Sequence, residues 1–220
     1  MSASGPPVPP SVDLACVSQD VVVPGGTFAL GASPDEPFVF DNEKWAYPVA
    51  LAPFRIAALA VTNAQYQAFV DDHGYRRREL WGRRGWDWRR RERAEHPLFW
   101  VREAPGRWCE RHFDGVAPLS PWHPVAHVNW YEAQAYCRRA GRRLPTEAEW
   151  EMAATLEPTT GRKRRFPWGD LPATPWCAGQ KNVLRGGCWA TRSRLIRGTW
   201  RNFYMRHRRN IFAGFRTVAL

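Results

Sequence analysis

Arg143-Leu144-Pro145-Thr146-Glu147-Ala148-Glu149-Trp150-Glu151 is the stretch on which the fold turns. A proline pushes the residue before it out of the α region, so the chain arrives at Pro145 extended. Thr146 then offers a hydroxyl and Glu149, three residues on, a carboxylate. This is the spacing of a capping box, in which the two side chains satisfy amides that a helix start leaves orphaned. The spacing predicts a helix from Glu147 that carries Trp150 and Ala153 inward. The same logic works outward along the chain. Thr62-Asn63-Ala64-Gln65 opens a helix with Tyr66, Phe69 and Val70 as its apolar stripe and Gly74 as its stop. Asn129-Trp130-Tyr131-Glu132 opens another, with Gly141 past its end. Val21-Val22-Val23 reads as a short strand entering the Pro24-Gly25-Gly26 turn before Thr27-Phe28. Phe166 to Asp170 reads as a turn, Val183-Leu184-Arg185 as a strand entering Gly186-Gly187, and Phe212 to Val218 as a final strand. Helices and short strands interleaved with turns imply an α+β domain.

The bulk composition agrees with one such domain over residues 19–220, preceded by a Pro/Ser-rich flexible leader at 1–18. The 220 residues hold 13 Trp and 19 Pro, a mixture that suits a core of irregular segments pinned by large rings rather than a helix bundle. The net charge is +11, and the excess gathers late: from Gly161 to Leu220 there are 14 Lys or Arg and one acid, Asp170. Such a bias suits an anionic ligand or surface, or is a solvated basic face. Residues 1–20 lack the basic start and apolar core of a signal peptide, and no apolar run approaches the ~20 residues of a membrane span. The five cysteines, Cys16, Cys109, Cys137, Cys177 and Cys188, include no CxxC pair, which argues against a disulfide framework or a structural zinc site. A reducing cytoplasm is the simplest setting.

Between Tyr75 and Arg93, Trp81, Trp86 and Trp88 alternate with arginines, including Arg89-Arg90-Arg91. Arg among aromatics can stack on bases. The preferred reading is that the rings pack inward under the arginine stems, and nucleic acid is not expected as a partner.

Taken in order, several motifs resemble the formylglycine-generating-enzyme, or sulfatase-modifying-factor, superfamily. They are Pro24-Gly25-Gly26-Thr27-Phe28, Val61 to Tyr66, Pro124-Val125 with Val128-Asn129-Trp130, Arg143 to Glu151, Pro167-Trp168-Gly169, Arg185-Gly186-Gly187 and Ala213-Gly214-Phe215-Arg216. Further segments are similar to the C-terminal domain of ergothioneine-type sulfoxide synthases, selenoneine-type relatives included: Phe40-Asp41-Asn42-Glu43, Ala52 to Ile56, Gly74-Tyr75 with Glu79-Leu80-Trp81, and Arg201-Asn202-Phe203-Tyr204 through Ile211-Phe212. The resemblance implies a C-type-lectin-like fold with little regular secondary structure. It implies an oxygen-dependent oxidoreductase that uses nonheme iron(II) to join a thiol to trimethylhistidine, a betaine.

The resemblance also implies where residues should act. In the family the iron ligands come from a separate helical domain, so no metal is expected on this chain alone. His123 and His127 are no substitute, because extended chain around Pro121 and Pro124 would hold them about 13 Å apart. The copper-binding cysteine pair of formylglycine-generating enzymes has no counterpart after Gly186-Gly187, where Cys188 reads as a small buried residue. The loop from Arg201 to Arg209 matches the family's substrate-facing loop. By that match Arg208 would hold a substrate carboxylate, and Phe203 and Tyr204 would offer ring faces to a trimethylammonium group. A tyrosine near its usual pKa of about 10 would need help to relay a proton. Only 14 residues separate Asp170 from Arg185, and the family's Gly-Asn-Val-Trp-Glu-Trp motif is missing there, so the fold is expected to be incomplete in that region. Two other readings stay open: a non-catalytic lectin-like module for a small anionic ligand, and a truncated, inactive relative.

Overall fold

A computed structural model describes residues 19–167, 169, 183–184 and 197–220. The leader at 1–18, Cys16, Cys177, Cys188 and most of the shortened stretch after Asp170 lie outside the described residues, so the expectations placed on them are untouched. Among the described residues are four α-helices and eleven short strands in four small antiparallel sheets.

The first strand, β1 (Asp20–Val23), leads through Gly25 into β2 (Gly26–Leu30), as the Gly turn predicts. Gly25 sits at φ +71°, and a Cβ there would lie 2.5 Å from the Leu51 carbonyl oxygen, so only glycine fits. β2 pairs with β3 (Tyr47–Leu51), and β1 pairs with β4 (Phe54–Ala57). The 3-10 turn Asp41–Glu43 lies between β2 and β3. Then follow helix α1 (Asn63–Asp71), the 3-10 turn Arg78–Leu80 and helix α2 (Arg83–Glu92). Strands β5 (Trp100–Ala104), β6 (Arg107–Arg111) and β7 (Val116–Pro118) make a three-stranded meander. Helix α3 (Trp130–Arg139), β8 (Arg142–Arg143) and helix α4 (Glu147–Thr155) come next. The pair β9 (Val183–Leu184) and β10 (Asn202–Phe203) and a last strand, β11 (Val218–Ala219), complete the set. One sheet has the order β1-β4-β11-β8, so the last strand fills an interior position.

All three expected capping boxes are present. Thr62, Asn129 and Thr146 each accept from the amide three residues on, and Gln65, Glu132 and Glu149 each reach back. Two readings need correction, and one helix adds to those that the caps announce. Helix α2 was not foreseen: its N-cap is Gly82, which has no side chain to announce it. Gly74 does not stop α1, because His73 takes the left-handed turn at φ +54°. Gly74 is needed for space, since a Cβ would lie 2.2 Å from the Phe69 ring. The final strand is two residues long, because Ala57 and Val61 take the carbonyls of Thr217 and Phe215 singly rather than in a ladder.

The rings form the core. Tyr66, Phe69, Tyr75, Trp81, Trp88, Trp100 and Tyr136 are buried together with Phe215. Tyr66 lies stacked on Tyr136 with centroids 5.5 Å apart. A second cluster joins Phe28, Phe54, Ile56, Met152 and Val218. The Arg–Trp stretch resolves as the inward-packed case: Trp81 and Trp88 are buried, and Trp86 is half-buried with Arg78 and Arg89 on its ring.

Candidate functional site: the pocket at the start of helix α3

Asn129 both caps α3 and holds the loop that faces it. Its Oδ1 accepts from the Glu132 amide at 3.0 Å, and its Nδ2 donates to the His207 carbonyl at 3.3 Å. The Trp130 amide, orphaned at the first helical position, donates to the Arg206 carbonyl at 3.2 Å. The buried His127, at φ +57°, places Nδ1 3.2 Å from the Arg209 carbonyl, between the rings of Phe99 and Phe212. Three successive docking points thus lay the 206–209 backbone along the start of α3.

Beneath them is a buried polar chain. Glu132 is 0% exposed. Its Oε2 accepts from the Asn129 amide at 2.8 Å, and its Oε1 accepts from Arg209 Nη2 at 2.9 Å and from the Tyr75 hydroxyl. Tyr75 in turn meets the Tyr66 hydroxyl at 3.3 Å. Burial raises the Glu132 carboxyl above its usual range, against the pull of Arg209 and its donors. Burial, reinforced by the Glu132 charge, holds both tyrosines well above 10. Burial also lowers His127, which favours the neutral ring.

Between α3 and the loop lies a pocket of about 30 Å³, lined by Asn129, Trp130, Tyr204, Arg206, Arg208 and Phe215, among others. The space is small and partly open, so part of a metabolite rather than the whole would enter it. Each arginine rests on a ring: Arg206 lies 4.4 Å from the Trp130 centroid and Arg208 5.5 Å from that of Tyr204. Arg208 also donates to Asn210 at 2.8 Å.

Of the residues singled out from sequence, Tyr204 and Arg208 line the pocket together. Phe203 is 58% exposed on β10, opposite Val183, and does not line it. Trp130 and Arg206 were missed, although the sequence places Trp130 at a helix start. Only the fold brings the two together. His123 is exposed, with its carbonyl bonded to the Asn63 amide, whereas His127 is buried between its two phenyl rings. Among the described residues no group of three or more His, Cys, Asp or Glu is arranged to hold a metal ion. These residues do not fit an iron centre. The cysteines described, Cys109 and Cys137, are both buried and free, and burial pushes the Cys137 thiol up to about 12. Among the described residues no helix is long and apolar enough to cross a membrane.

Residues 8–178 match the model of the Sulfatase-modifying factor enzyme 1-like domain. The hercynine oxygenase of Mycolicibacterium thermoresistibile is 34% identical over 253 aligned positions, covering 86% of this chain and 56% of that protein. That of Mycobacterium tuberculosis is 35% identical, covering 86% and 58%. The formylglycine-generating enzyme of Thermomonospora curvata is 35% identical over 192 positions, covering 76% and 57%. The chain thus spans a little over half the length of these relatives. The 253 positions of the first alignment exceed the chain's 220 residues, so that relative carries positions with no counterpart in this chain. The structure of PvdO from Pseudomonas aeruginosa superposes with a TM-score of 0.56 at 19% identity, covering 90% of this chain and 93% of that one, a likeness of fold alone.

Proposed function

Since the chain belongs to the sulfatase-modifying-factor, or formylglycine-generating-enzyme, family, we propose that it is the betaine-recognising part of an ergothioneine-type sulfoxide synthase. The observation that carries the reading is the pairing of two aromatic faces with two guanidinium groups around one pocket. A betaine such as trimethylhistidine presents a quaternary ammonium and a carboxylate. Aromatic faces suit the first and guanidinium the second. The relatives named hercynine oxygenases support the same substrate class.

Binding entails an exchange. Arg208 lies over the face of Tyr204, and a trimethylammonium group cannot share that face with another cation. The ligand's ammonium takes the ring, and the displaced guanidinium turns to the ligand's carboxylate. Arg208 is exposed and its guanidinium gives up a single bond, to Asn210, so the swing costs little. The pocket holds only the head of such a ligand; the thiol, the iron and the opposite wall belong to a separate helical domain in this reading. No step of the oxidation is assigned to the residues of this chain. The cytoplasm suits its free cysteines.

A second reading, an anion-binding module, draws on the same exposed arginines. Calorimetric titration with trimethylhistidine, histidine and sulfate separates the two. Trimethylhistidine should bind, histidine at least about tenfold more weakly, and Arg208→Ala should weaken binding by about ten- to a hundredfold, the worth of a charge-assisted hydrogen bond. Sulfate binding as well as trimethylhistidine would favour the anion module. No binding of trimethylhistidine would overturn the betaine reading.

A further inference from the structure

Consecutive arginines in the loop do opposite things. Arg208 points outward to Tyr204 and Asn210. Arg209 points inward, where it is tied to three elements at once. Its Nη2 donates to Glu132 Oε1 of α3 at 2.9 Å and to the His96 carbonyl before β5, and its guanidinium lies 5.5 Å from the ring of Trp88 on α2. The inward tie therefore sets where the outward arginine stands. Its key is Glu132, whose other oxygen holds the amide of Asn129, the residue that grips the His207 carbonyl.

We propose that Glu132 is a positioning residue for the ligand loop: through Arg209 and through the Asn129 cap it fixes the 206–209 backbone on α3, and so places Arg208 and Tyr204 at the pocket. A helix cap needs only a short acceptor to the first amides. Glu132 does more than that, because one of its oxygens is given to groups outside the helix, Arg209 and Tyr75. The buried pairs elsewhere, Glu43 with Arg197 and Glu151 with Lys163, involve no residue of the pocket.

The loop's seating can be read without any ligand, from two amides. The Trp130 N–H is covered only while the Arg206 carbonyl stays on it, and the Arg208 N–H donates to the Met205 carbonyl at 3.0 Å. In Glu132→Gln the amide oxygen can keep the cap but cannot pair with Arg209. In Arg209→Gln the Glu132 cap is untouched, while the charged tie to Glu132 is lost together with the contacts to His96 and Trp88, so this variant decides the matter if the first fails to fold. Hydrogen exchange followed by NMR should quicken at Trp130 and Arg208 by about tenfold or more, the effect of losing a hydrogen bond to a charged group. The β2–β3 hairpin should keep its rate. Tyr66→Phe, which removes a hydroxyl from the far end of the same chain, should leave both reporter amides unchanged. Wild-type exchange at Trp130 and Arg208 in a folded variant, or equal quickening throughout the core, would overturn the proposal.

A second readout rests on the betaine reading. Glu132→Gln should weaken trimethylhistidine binding, and adding Arg208→Ala should cost less than it does alone, because Arg208 is already misplaced. Full additivity would count against positioning. If the wild type binds no betaine, the functional reading fails, and the exchange rates still decide the role of Glu132.

Discussion

Glu43 is fully enclosed, yet it makes three hydrogen bonds: to Arg197 Nη2 at 2.9 Å, Thr199 Oγ1 at 2.6 Å and the Phe40 amide at 3.1 Å. It fastens the turn before β3 to the chain entering the 201–209 loop, and Arg201 adds a second tie through the Asn42 carbonyl and Glu147. Removing one partner strands the other as an unpaired buried charge. Glu43→Ala should therefore cost about 3–5 kcal/mol, measured by urea unfolding. A second prediction concerns acid. Burial works against the Glu149 carboxylate, but the Arg143 fork and the Thr146 donors outweigh it and hold its pKa below the usual value. The unfolded chain, with a carboxyl near ~4.3, then binds the proton more tightly than the native state. The contribution of Glu149 is complete above that value and disappears as pH falls through the lowered native pKa. In urea unfolding, the gap between wild type and Glu149→Gln should be wide at pH 7 and shrink on acidification below pH ~4. Glu132 runs the other way, because its native pKa is raised: it favours the fold more as pH falls through its raised value. At this scale the sequence was half legible. The spacing announced Glu132 as a cap, but its tie to Arg209, 77 residues away, exists only in three dimensions.

The four helices divide by how they begin. Three open on a Thr or Asn with a Gln or Glu three residues later, a local chemistry that can be read directly. Helix α2 opens on Gly82 with Arg83 and Arg84 in its first turn, where the helix dipole disfavours positive charge. It holds because Trp88 is buried on the core and Gly85 lets the helix close on Tyr131, where a Cβ would sit 3.1 Å away. Packing rather than propensity stabilises it, which is why pattern alone did not find it. Giving α2 the cap it lacks should help: Gly82→Asp is expected to raise stability by a few tenths to about 1 kcal/mol in thermal or urea unfolding. The last strand erred the opposite way. Phe212 to Val218 has strand-like residues, but Arg216 donates to the carbonyls of Ala57 and Ala58, and the strand formed is Val218–Ala219.

Across the molecule, β11 lies between β4 and β8, with Val218 paired to both Ile56 and Arg143 and 0% exposed. Removing residues 217–220 would split that sheet and unseat Arg142, which bonds the Thr217 hydroxyl at 2.6 Å and Asp20 at 2.7 Å. The shortened chain should lose its cooperative thermal transition, followed by near-ultraviolet circular dichroism of the buried tryptophans. Of the residues that family order singled out, Tyr204 and Arg208 line the candidate pocket and Phe203 does not. Trp130 and Arg206 were not singled out, because no local spacing tells that the start of α3 faces a loop more than 70 residues downstream. The same interior strand governs how fast the molecule can form. Val218 cannot dock until the distant segments around Ile56 and Arg143 have been brought together, and closing such loops costs chain entropy before any contact rewards it. Refolding from urea should therefore be slow, with the tryptophan signal recovering over about milliseconds to seconds, the range of folds ruled by distant pairings.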